Sequence, residues 1–189
     1  TITEPNSDGT WPNNAKRINI LKYALKSVFD TTHPKYDASL MPDKKVRIAW
    51  QTMHNNGGAT DAKNVNSSTM NTNSMRILQG SHRTNFLSFV NSLKAQNGTP
   101  SPVMFSQADA YMRRPLGTSS AWASDPGVTS SPYLACRRSY HIFMSDGRWN
   151  GTASGGSQDN ATNLTLPDGV VYGGTTAADR AKSQLYRDT

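Results

Sequence analysis

Cys136-Arg-Arg-Ser-Tyr-His-Ile-Phe-Met-Ser-Asp-Gly-Arg-Trp-Asn-Gly151 is the stretch whose reading decides the fold. Residues 140–144 form a short apolar run with polar residues on both sides, the pattern of a buried strand. The run stops on Ser145-Asp146-Gly147, and Asp-Gly is a turn dipeptide. An acidic side chain therefore stands where a buried strand emerges. In open α/β sheets, ligands bind outside the carboxyl ends of the strands, and an oxygen ligand there suits a hard cation. Asp146 has two readings: it caps a turn, as Asp before Gly commonly does, or it ligates a metal.

Helical and strand periodicities surround this stretch. Over residues 15–29, Ile18, Leu21, Leu25 and Val28 recur at helical spacing, with Lys16, Arg17, Lys22 and Lys26 elsewhere on the surface. That spacing predicts an amphipathic helix, capped by Asn13 or Asn14 and ended before Pro34. Trp11 is placed to anchor the loop ahead of it. Residues 46–53 alternate as a strand does, and 75–78 read as a second, shorter one. Phe86, Leu87, Phe89, Val90 and Leu93 predict a helix over 84–95. Val103, Met104, Ala108, Tyr111 and Met112 mark a third, stopped by Pro115. Residues 59–74, 116–132 and 148–163 read as long polar surface loops. Pro167-Asp-Gly169 is a turn with a β-like segment at Val170 and Val171, and 177–186 a last short helix. This order is that of an α/β domain. Its sheet is thin for so many helices, which predicts a partial domain.

Composition narrows the function classes. A length of 189 residues suits one domain. No run of about 18 apolar residues occurs, so no membrane span is expected. The chain opens on Thr1 and a polar stretch, as a mature or excised segment would. The net charge of +7 is spread along the chain, without the clustered basic stripe and aromatic support of a nucleic-acid surface. Cys136 is the single cysteine, read as a free thiol or one partnered outside this segment. His141 lies an odd number of positions from it, on the opposite face of a strand, which argues against a Cys–His dyad. His33, His54, His82 and His141 lack zinc-ligand spacing. Neither a Gly-x-Ser-x-Gly elbow nor a convincing carboxylate pair is present, so no enzyme is expected.

Two loops carry oxygen ligands at the edges of elements: Asn97-Gly-Thr-Pro100 and Ser145-Asp146-Gly147. Hydroxyl and carboxylate oxygens suit Mg²⁺ or Mn²⁺, although Mg²⁺ wants six oxygens and two are too few alone. Thr99 has its own alternative, as the residue that starts the next helix.

These pieces, in order, resemble a family. Residues 15–25 resemble the first helix of the von Willebrand factor type A domain found in type IV pilus tip adhesins of the PilY type. Gly80-Ser-His-Arg-Thr-Asn-Phe86, the Gly-Thr-Pro loop at 98–100 and the Cys-containing strand ending in Asp146-Gly147 resemble further parts of it. The resemblance implies a doubly wound, Rossmann-like α/β sheet with long loop insertions. It implies a metal-ion-dependent adhesion site in which Thr99 and Asp146 are ligands for Mg²⁺ or Mn²⁺. The family's Asp-x-Ser-x-Ser motif does not occur in the 189 residues, so the expectation is a single partial domain over 1–189, incomplete at both ends. The implied role is noncatalytic adhesion at a pilus tip on the bacterial surface. The implied partners are a host or abiotic surface receptor, minor pilins and other tip components. The rival expectation is a structural, force-bearing tip segment without a working metal site.

Overall fold

The computed structural model describes residues 2–52, 72–95, 101–133, 138–145, 164–165, 167, 169 and 171–172. In chain order the elements are α1 (Arg17–Phe29), β1 (Arg47–Ile48), β2 (Arg76–Ile77), α2 (Gly80–Ser92), α3 (Ser101–Met112), β3 (Leu164–Thr165) and β4 (Val171–Tyr172). β1 and β2 form one two-stranded sheet and β3 and β4 another. α1 and α3 fall where periodicity places them, α2 overlaps its expected span, and the helix expected over 177–186 lies outside the described residues. The chain gathers into two compact units, Thr1–Ile48 with Ile77–Asn97, and Ala49–Arg76 with Gly98–Thr189.

In the first unit α1 packs along α2. Phe29 meets Phe86 edge-on at 4.9 Å between ring centres, and Trp11 packs edge-on against Tyr23 at 5.5 Å. Trp11 thus holds the leading loop on α1, as its position in a polar stretch suggests. The N-cap differs from expectation. It is Lys16, without a side-chain capping bond, so neither Asn13 nor Asn14 occupies that position. α2 begins at Gly80, earlier than apolar spacing alone predicts. Its first turn holds His82 and Arg83, both buried with Phe86 and Val90. Residues three and four apart share a helix face, so these two polar side chains enter the core beside the apolar ones.

Arg83 is the centre of this unit. Its Nε donates to Asp43 Oδ1 at 2.9 Å, its Nη1 to the Phe29 carbonyl at 2.8 Å, and its Nη2 to the Met41 carbonyl at 3.0 Å. The guanidinium also lies 5.9 Å from the Tyr36 ring centre. One side chain therefore ties α2 to the end of α1 and to the segment that leads into β1. His82 adds a bond from its ring to the Ile48 carbonyl at 2.9 Å. A carbonyl can only accept, so Nε2 carries the proton in this contact.

In the second unit Tyr111 and Ala121 form an apolar centre, with Ala49, Met75 and Met112 packed against it. The Tyr111 hydroxyl accepts the Met75 N–H at 2.8 Å, and Trp122 Nε1 donates to the Met112 carbonyl at 2.7 Å. Gln51 Nε2 bonds the Met104 carbonyl, fixing the chain after β1 on α3. Two loop expectations change here. Asn73 and Ser74 are fully buried, as are Ser120, Ala123 and Pro126. The end of 59–74 and the middle of 116–132 are thus core rather than surface. Asn73 ties itself in by donating to the Trp50 carbonyl at 2.8 Å, and the Ala123 N–H donates to the Ser120 carbonyl at 3.2 Å. β3 and β4 pair antiparallel, Leu164 with Tyr172 and Thr165 with Val171, around Gly169 at φ +85°. A positive φ favours Gly at that turn.

Residues 140–144 do not form the buried strand that their apolar run predicts. Segment 138–145 has no regular structure, and Tyr140 and Ile142 are 80% and 74% exposed. An apolar run becomes a strand only when a neighbouring strand completes its ladder, and neither described sheet includes this segment.

Arg83→Ala takes this donor from the Phe29 carbonyl and one of two donors from the Met41 carbonyl, which keeps the Tyr36 hydroxyl, and should destabilise the unit by about 3 kcal/mol in urea unfolding. The Asp43 side chain is 56% exposed, so Asp43→Asn should cost under about 1 kcal/mol. Equal losses for the two variants would contradict this division of roles. Burial pushes the Tyr111 phenol up from its ordinary value. Its folded pKa is raised, so stability from the neutral phenol is complete below about pH 10 and is lost as pH rises further. Tyr111→Phe should flatten that alkaline loss in unfolding measured across pH 9–11.

Candidate functional site

Thr99 and Asp146 lie outside the described residues, as does Cys136. What surrounds them in sequence is visible. α3 begins at Ser101, just after the Gly-Thr-Pro loop, so the helix-starting role open to Thr99 has a helix to start. Ser145, directly before Asp146, is exposed. The donor chemistry of a Thr hydroxyl and an Asp carboxylate fits a hard cation such as Mg²⁺ or Mn²⁺, with the remaining coordination filled by other oxygens. Among the described residues no three His, Cys, Asp or Glu side chains converge as a metal cluster.

Three described carboxylates share one arrangement. Asp8, Asp30 and Asp37 each precede a Thr or Ser by two positions and accept both its N–H and its hydroxyl. The distances are 2.9 and 2.6 Å at Thr10, 3.0 and 2.7 Å at Thr32, and 2.8 and 2.7 Å at Ser39. Hydrogen bonds to the ionised form favour it. The Thr10 hydroxyl and N–H hold Asp8 below the ordinary carboxylate range, and those of Ser39 do the same for Asp37. At Asp30, burial pushes upward and the Thr32 bonds outweigh it. These carboxylates close local turns of the kind Asp commonly makes. Asp8, in the only acidic position of Ser7-Asp8-Gly9, is engaged by its own turn.

The Gly80-to-Phe86 stretch, one of those that carry the family resemblance, has an architectural task in this structure. His82 and Arg83 hold backbone carbonyls inside the first unit. Sequence spacing contained a signal for this. Positions 82, 86 and 90 recur every four residues on one helix face, and the two apolar members mark that face as buried.

With the fold in view, comparison with known proteins gives a class: this chain is a partial homologue of type IV pilus biogenesis factors. The relatives are PilY1 proteins of Pseudomonas aeruginosa. The chain is 31% identical over 145 residues to the PilY1 of strain PAK, covering 77% of the chain and 12% of that protein. It is 29% identical over 133 residues to the PilY1 of strain PAO1, covering 70% of the chain and 11% of that protein. The chain therefore spans about an eighth of the length of the first of these relatives. No family model and no solved structure matches it. No helix among the described residues is long and apolar enough to cross a membrane.

The turn geometry is open to measurement. NMR titration should place the Asp37 midpoint below the ordinary carboxylate value of 3.8, and Ser39→Ala should move it upward. The folded pKa is depressed, so the contribution of this turn to stability is present above the unfolded pKa and is lost as pH falls through the folded one. An unchanged midpoint in Ser39→Ala would show that the hydroxyl does not hold the carboxylate.

Proposed function

We propose that this chain is a noncatalytic adhesion module within a type IV pilus biogenesis factor, acting at the bacterial surface. The observation that carries this reading is the similarity to PilY1 along 77% of the chain. The proposed architecture is the doubly wound von Willebrand factor type A sheet. At its edge Thr99 and Asp146 supply a hydroxyl and a carboxylate to Mg²⁺ or Mn²⁺. The cation supplies positive charge that an acidic group on a partner completes. The partners in this reading are a surface receptor, minor pilins and other components of the pilus tip. Support comes from residue types suited to a hard cation and from their order along the chain.

A second reading is a structural tip segment without a metal site. It draws support from the lack of an Asp-x-Ser-x-Ser motif in the 189 residues and from the engagement of Asp8 in its own turn.

Calorimetric Mn²⁺ titration of the full protein that carries this segment separates the two readings. Asp146→Ala should weaken Mn²⁺ affinity by about tenfold or more, consistent with loss of a charged oxygen ligand, and should reduce surface attachment of cells. Unchanged affinity and attachment would contradict the cation reading. Reduced piliation with unchanged Mn²⁺ affinity would favour the structural one.

A further inference from the structure

We propose that the α1–α2 face carrying Lys22, Lys26 and Lys94 docks an acidic segment of a partner protein. This surface lies in the first unit and does not rest on the cation reading.

Neither α1 nor α2 contains an Asp or Glu. Lys22 and Lys26 are one turn apart on α1 and so share a side of it. Lys22 Nζ donates to the Asn91 carbonyl at 2.7 Å, which brings it to the end of α2, where Lys94 follows the Leu93 C-cap. Three ammonium groups thus gather where the helices meet. Burial, then repulsion from Lys26 and Lys94, lowers the Lys22 pKa, so both lie close enough to act on Lys22. Lys26 helps hold the Asp30 carboxyl below its ordinary value, and Thr32 already takes that carboxylate through its N–H and hydroxyl.

Lys22 has a structural use as a donor to the α2 carbonyl. The Lys26 and Lys94 side chains make no hydrogen bond or ion pair among the described residues. Val28, 43% exposed, lies two residues from Lys26 and so on the other side of α1. A basic cluster on two helices without carboxylates complements a partner segment that presents carboxylates. A lipid surface fits less well. Membrane-lying helices insert bulky apolar side chains, and Val28 is the one exposed large apolar residue on α1.

Poly-L-glutamate serves as the probe, with the full chain immobilised at low salt. The pair Lys26→Glu and Lys94→Glu leaves the Lys22 bond in place. The control pair Lys35→Glu and Lys45→Glu makes the same change in net charge. The first pair should weaken binding by about tenfold or more and the control by less than about threefold. Far-UV circular dichroism of both pairs should keep the wild-type helix signal. If that of the first pair falls, Lys26→Gln with Lys94→Gln, neutral and good helix formers, decides in its place. Equal loss in both pairs would overturn the proposal in favour of diffuse net charge. Binding to phosphatidylglycerol vesicles without binding to poly-L-glutamate would overturn it in favour of a lipid surface. Absence of binding by the wild-type chain would also overturn it.

Discussion

A buried guanidinium is costly unless its donors are met, and the first unit is arranged around meeting those of Arg83. The Phe29 carbonyl comes from the last residue of α1. The Met41 carbonyl and the Asp43 carboxylate come from the connection to β1. Two separate segments must reach one side chain on a third at once. A planar fork with several donors in fixed directions can do this, whereas a lysine ammonium is a single compact charge. The connection 30–45 is otherwise held by local turns at Asp30 and Asp37 and by the Tyr36 hydroxyl bond to Met41. Arg83 converts those local turns into a fixed path. Backbone bonds from Lys44 to Leu78 and from Leu78 to Val46 then lead that path into the sheet.

The second unit solves a similar problem with neutral groups. Its centre is Tyr111, a large ring whose hydroxyl finds the Met75 N–H. Small buried residues, Ala121 and Ala123 among them, fill the space that a polar, glycine-rich loop would otherwise leave to solvent. Both units therefore rest on a few polar atoms placed inside rather than on a long continuous apolar face. That agrees with a chain only 35% hydrophobic.

The helices were legible because helical spacing survives in single-residue patterns: Ile18, Leu21 and Leu25 on α1, Phe86 and Val90 on α2. The Pro167-to-Gly169 turn was legible because its residue types demand it. The burial of His82 and Arg83 was partly legible from the face they share with Phe86. The burial of Asn73, Ser74 and Ser120 was not, because small polar residues look alike in loops and in tight packing, and only tertiary neighbours separate the two. Residues 140–144 show the opposite failure. Their composition favours a strand, but strand formation depends on a partner edge that no local pattern encodes. At the candidate site, the sequence supplies residue types and order at Thr99 and Asp146, and chemistry of type and order reaches only as far as a class of cation.

Hydrogen–deuterium exchange on the wild type and on Arg83→Ala tests the central claim, that one side chain unites three segments. The account predicts faster exchange together at the Asp30 amide closing α1, at Lys44 in the connection and at Leu78 beside β2. Acceleration confined to α2, with Asp30 and Lys44 unchanged, would contradict it.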